Sequence, residues 1–191
     1  MRILFVILLG IILAGCATAV DKYLRGHPDT PSNIKNYMLS RQPCIGMNKE
    51  QVIATFGEPI ETTWDKVDNK ESWVYRYYYG YYSYDTYYFV FDNDRIVRIE
   101  KSDEKAERER KYEIEKYIQK HPERLEFKNA ILEKKIRIGM NKDEVRLSWG
   151  EPWDINRTVT THGTSEQWIY GSLNYANYLY FDDGILTSWQ D

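Results

Sequence analysis

Hydrophobic and polar positions along the chain follow one pattern that occurs twice. Ile45-Gly46-Met47-Asn48-Lys49-Glu50-Gln51-Val52 recurs as Ile138-Gly139-Met140-Asn141-Lys142-Asp143-Glu144-Val145. Phe56-Gly57-Glu58-Pro59 returns as Trp149-Gly150-Glu151-Pro152, and His27-Pro28 returns as His121-Pro122. Trp73-Val74-Tyr75 then matches Trp168-Ile169-Tyr170, and Phe89-Val90-Phe91-Asp92 matches Leu179-Tyr180-Phe181-Asp182. Self-similarity in this order marks two homologous modules.

Each block predicts a local structure. Asn48 with Gln51, and Asn141 with Glu144, have capping-box spacing. Val52 and Phe56, like Val145 and Trp149, lie four apart on one helical face. Gly57 and Gly150 suit the helix end, and Pro59 and Pro152 prevent resumption. Pro31 fits the first turn of an earlier helix with Ile34, Tyr37 and Met38 on one stripe. Leu125, Leu132 and Ile136, with Ala130 and Ile131 beside them, repeat that stripe. After each Gly-Glu-Pro the period changes to two. Trp153, Ile155 and Val159 alternate with Asp154, Asn156 and Thr158, as in a half-buried strand; Ile60, Thr62 and Trp64 are the weaker counterpart. Further strands are predicted near 73–79, 87–91, 168–170 and 178–181. Tight turns at Asp92-Asn93-Asp94 and Asp182-Asp183-Gly184 lead into 96–99 and 185–189. The predicted class is α+β: two tandem modules, each two helices packed on a three- to four-stranded antiparallel sheet.

The N-terminus has a different pattern. Met1-Arg2 precedes an apolar run from Ile3 to Leu13, broken only by Gly10, and Leu13-Ala14-Gly15-Cys16 follows. A charged start, a short apolar core and small residues mark a secretory signal. Crossing a bilayer takes about 20 apolar residues, so this run is a cleaved leader. Its ending resembles the lipobox of bacterial lipoproteins, which implies acyl chains on Cys16. Ala17 after the cysteine resembles lipoproteins sent to the outer membrane. The expected layout is a signal peptide at 1–15, a lipidated tether at 16–26 and module one at 27–100. A charged helical connector at 101–120 and module two at 121–191 complete it.

Charge narrows the partners. Lys and Arg total 26 against 29 Asp and Glu, a net charge of −3. No basic surplus exists to neutralise phosphates, which excludes nucleic acid as the expected partner. With Cys16 acylated, Cys44 has no disulfide partner and reads as a small core residue. His27, His121 and His162 are the only histidines, and no metal or nucleophile spacing occurs. Glu58 and Glu151 recur, but each sits in a Gly-Glu-Pro turn. No catalytic residue, metal or cofactor is therefore expected.

The candidate working surface is a tyrosine cluster. Tyr75, Tyr77, Tyr78, Tyr79, Tyr81, Tyr82, Tyr84, Tyr87 and Tyr88 occupy one hairpin. Strand side chains alternate between faces, so these rings cannot all enter the core. Tyr79, Tyr81, Tyr82 and Tyr84 are the expected partner-binding residues, because exposed tyrosine is enriched at interfaces and membrane belts.

The lipobox, Gly-Met-Asn-Lys-Glu-Gln-Val, Phe-Gly-Glu-Pro, Trp-Val-Tyr and the Phe-Asp strand together resemble the SmpA/OmlA (BamE-like) lipoproteins of Gram-negative outer membranes. Asn stands at the cap where that family uses Thr. The resemblance implies a fold of β-lactamase-inhibitor-protein type and a lipid-anchored, non-catalytic protein-binding module. It places the chain on the periplasmic face of the outer membrane, with an envelope protein partner in outer-membrane assembly or integrity. Inhibition or regulation of a periplasmic enzyme is one alternative. Glycan binding or an envelope enzyme is another.

Overall fold

A computed structural model describes residues 17–172 and 175–190. The leader and Cys16 lie outside the described residues. The chain divides into two compact units, Met1–Glu107 and Arg108–Asp191.

In the first unit, α1 (Ala19–Gly26), α2 (Ser32–Leu39) and α3 (Lys49–Phe56) precede four strands. These are β1 (Glu61–Trp64), β2 (Glu71–Tyr78), β3 (Tyr84–Asp92) and β4 (Arg95–Lys101). They form an antiparallel sheet in sequence order. The helix α4 (Ser102–Lys120) follows, and then a 3-10 turn at Pro122–Phe127, α5 (Lys128–Leu132) and α6 (Lys142–Trp149). The strands β5 (Asp154–Thr160), β6 (Gly163–Ser172), β7 (Tyr175–Asp182) and β8 (Ile185–Gln190) make a second meander of the same order. Two helix-backed antiparallel sheets confirm the α+β class.

The repeated blocks do matching work. Both capping boxes form: the Gln51 backbone N–H donates to Asn48 Oδ1 at 2.8 Å, and that of Glu144 to Asn141 Oδ1 at 2.9 Å. Gly57 and Gly150 end their helices at φ +81° and +83°, a region that disfavours side chains. Each core is built from equivalent positions. Met47, Val52, Trp73, Phe89, Phe91 and Ile96 serve module one; Met140, Val145, Trp168, Leu179, Phe181 and Leu186 serve module two.

Several expectations need correction. Residues 16–26 are not a tether over most of their length. Thr18 and Asp21 cap α1, and Val20 is buried in the core with Tyr23 and Leu24 packed against it. Nor is 101–120 only a solvated connector, because Ile114 and Ile118 enter the core of module two. Val20, Tyr23, Leu24 and His27 recur 94 positions later as Ile114, Tyr117, Ile118 and His121. The repeat therefore begins one helix earlier than its His-Pro pair. The half-buried strand expected at Trp153, Ile155 and Val159 is exposed throughout. It is an edge strand, and the helices do not reach across to it. Leu125 is exposed as well, and Phe127 fills the core instead.

The second face of the first sheet is closed by charge. The buried Asp65 carboxylate pairs with Arg98 at 3.1 Å and Lys105 at 3.7 Å, and accepts the Val67 amide at 3.0 Å. Arg98 also pairs with Asp68 at 2.8 Å and Glu100 at 3.1 Å. Lys105 lies 5.0 Å from the Tyr88 ring centre.

Candidate functional site

The tyrosine hairpin joins β2 to β3, and strand alternation sorts its rings. Tyr75, Tyr77 and Tyr87 point into module one. The Tyr75 hydroxyl donates to the Gly57 carbonyl at 3.0 Å, and its ring stacks on Phe89 at 4.8 Å. Tyr77 meets Phe56 and Tyr87 edge-on at 6.4 and 5.2 Å. Burial raises the hydroxyl pKa of Tyr75 and Tyr77 above the ordinary phenol value. These rings are structural.

The other rings are on the outside. Tyr79 is mostly exposed, and Tyr81 and Tyr82 are 97% and 92% exposed. Tyr84 is exposed to a lesser degree and pairs across the strands with Tyr78 at 5.3 Å. The Arg76 guanidinium lies 5.2 Å from the Tyr84 ring centre. Tyr81 and Tyr82 lean on each other at 6.0 Å, and the Tyr79 amide donates to the Ser83 carbonyl at 3.0 Å, closing the tip. Residues 78–84 are five tyrosines, a glycine and a serine, with no charge among them. Lys101 anchors the base of the hairpin, pairing with Asp85 at 2.8 Å and lying 5.4 Å from the Tyr87 ring centre. The Asp85 hydrogen bond raises the Lys101 pKa. The tip is thus an amphipathic, uncharged knob on a rigid base.

The corresponding hairpin of module two is shorter. Trp73 to Phe89 spans 16 positions, whereas Trp168 to Leu179 spans 11, so the first hairpin is five residues longer.

Other candidates resolve into structure. His27 stacks on Tyr23 at 4.1 Å, and His121 tilts on Tyr117 at 4.7 Å. Cys44 is half-buried against the first core, where desolvation raises its thiol pKa. Glu151 pairs with Arg146 at 3.0 Å on the surface. A recurring carboxylate bridge escaped sequence reasoning. Glu71 accepts from Lys49 at 2.6 Å and the Trp73 indole at 2.7 Å; Glu166 accepts from Lys142 at 2.7 Å and the Trp168 indole at 2.8 Å. Its signal was present as Glu-x-Trp in both copies.

Residues 38–101 match the outer membrane protein assembly factor BamE domain. The matched segment runs from the last turn of α2 to the end of β4 and includes the capping box, the Gly-Glu-Pro turn and the tyrosine hairpin. It covers about a third of the chain. Module two repeats the same order of elements and the same Lys-Glu-Trp bridge. No curated protein matches the chain. One solved structure is similar, that of a candidate beta-lactamase inhibitor protein from Streptococcus mutans. It is 14% identical, with 76% of this chain and 82% of that chain covered and a TM-score of 0.27. Among the described residues, no helix is long and apolar enough to cross a membrane.

Proposed function

We propose that this chain is a lipid-anchored protein of the bacterial envelope that binds other envelope components without transforming them, in outer-membrane assembly or integrity. The BamE domain at residues 38–101 is the observation that carries this reading. The apolar leader at 1–15 and Cys16 supply its anchor, on the periplasmic face of the outer membrane. Acyl chains on one cysteine give stable anchoring when two or more are present. The tyrosine tip is the contact surface of module one, with Tyr79, Tyr81, Tyr82 and Tyr84 as its binding residues. Their exposure on a well-packed base supports that role, because tyrosine gives large contact area at low entropic cost.

Affinity capture from detergent-solubilised envelopes tests the proposal. Co-elution of outer-membrane barrel-assembly subunits is the expected result. Capture of a periplasmic hydrolase alone would replace the assembly role with an inhibitory one.

A further inference from the structure

We propose that the tyrosine tip of module one rests in the headgroup region of the bilayer that carries the Cys16 anchor. This rests on the anchored reading above and names what the tip touches. Three internal relationships support it.

The first is the direction of the opening helix, read from its repeat in module two. There α4 runs antiparallel to α6. Near the start of α6, Asn141 Nδ2 donates to the Tyr117 hydroxyl at 2.8 Å; near its end, Arg110 Nη1 donates to the Leu147 carbonyl at 3.4 Å. In module one the corresponding helix is α1, which packs on α3, burying Val20 and packing Leu24 against the core where α4 buries Ile114 and Ile118. The equivalence sets Thr18, the cap of α1, beside the C-terminal end of α3 at Phe56 and Gly57.

The second is where β2 leaves the core. Tyr75 bonds the Gly57 carbonyl and Tyr77 packs on Phe56, so the hairpin passes the same end of α3 on its way to the tip. The start of α1 and the tyrosine knob therefore share one end of module one.

The third is reach. Cys16 stands two residues before Thr18, at most about 7 Å of chain. From Tyr77 to Gly80 the hairpin runs on for about 10 Å. An acylated Cys16 and the tip thus come within reach of one plane, with only a short stretch of chain between the anchor and the cap of α1. The tip's chemistry suits that plane. Residues 78–84 carry no charged side chain, and exposed tyrosine rings favour the membrane–water interface, apolar body inward and hydroxyl in the headgroups.

The test uses the full lipidated protein in vesicles of phosphatidylethanolamine and phosphatidylglycerol containing dibrominated phosphatidylcholine. Tyr82→Trp places an indole at the tip, and Asp94→Trp places one in the exposed β3–β4 turn, beside the start of α3 at the other end of module one. Flotation with the vesicles, with a blue-shifted and quenched added emission for Tyr82→Trp and neither change for Asp94→Trp, is the expected result. Flotation with unquenched Tyr82→Trp emission would overturn the tip contact and leave the anchor standing. Failure to float would overturn both. A photo-crosslinker at position 82 that captures protein rather than lipid in cells would also overturn the proposal.

Discussion

Glu166 accepts the buried indole N–H of Trp168 at 2.8 Å, and Glu71 does the same for Trp73 at 2.7 Å. Each carboxylate also holds the lysine that opens the neighbouring helix, so one side chain fastens helix to sheet in both modules. Glu166→Ala leaves the Trp168 donor buried and unpaired, at a cost of about 1–3 kcal/mol. Urea denaturation checks this; an unchanged midpoint would show that the bridge is incidental.

Both carboxylates also set an acid limit. The Lys49 hydrogen bond, with help from Trp73, holds the Glu71 pKa below its ordinary value. At Glu166 burial works to raise the pKa, and the hydrogen bonds from Lys142 and Trp168 outweigh it. A carboxyl depressed on folding contributes stability above its unfolded pKa of about 4.3, lost as pH falls through the folded value. Thermal unfolding followed against pH is expected to be level near neutrality and to fall below about pH 4.3. Glu71→Gln with Glu166→Gln should flatten part of that fall.

The two capping boxes differ in charge. Gln51 is neutral, whereas the buried Glu144 is held by Arg124 Nε at 2.7 Å. Arg124→Ala strands a buried carboxylate, which costs about 3–5 kcal/mol. In a Glu144→Gln background, where the second cap becomes like the first, the same change should cost much less. A double-mutant cycle in denaturant measures the difference.

Ile114→Ala is expected to destabilise module two by about 2–5 kcal/mol, because the side chain is fully buried. Its exposed neighbour changed by Glu113→Ala should stay within about 0.5 kcal/mol. Equal effects would return α4 to the status of a solvated linker.

Replacing Tyr81, Tyr82 and Tyr84 by Ser should leave the melting temperature nearly unchanged, since exposed positions contribute within about 0.5 kcal/mol each. Calorimetry checks this. A large drop would make the tip part of the core.

Helix caps, Gly-Glu-Pro stops, turns and sheet order were legible because each rests on local chemistry printed twice. The first helix of each module was not. Val20 and Leu24 are too few to draw a stripe in eight residues, and Lys-Glu-Arg density masks Ile114 and Ile118 in α4. Only the 94-residue spacing links the two helices. Edge exposure at Trp153 and Val159 was hidden for another reason. Period-two alternation places residues on one face, but says nothing about whether a helix covers that part of the sheet. At the hairpin, alternation required some tyrosines to be outside, and the tertiary contacts of Phe56 and Gly57 decided which.

Mass spectrometry of the N-terminal peptide from envelope-extracted protein tests the central claim most directly. A mature chain starting at Cys16 and carrying acyl chains is the expected result. A free, unacylated residue 16, or a retained leader, would contradict it.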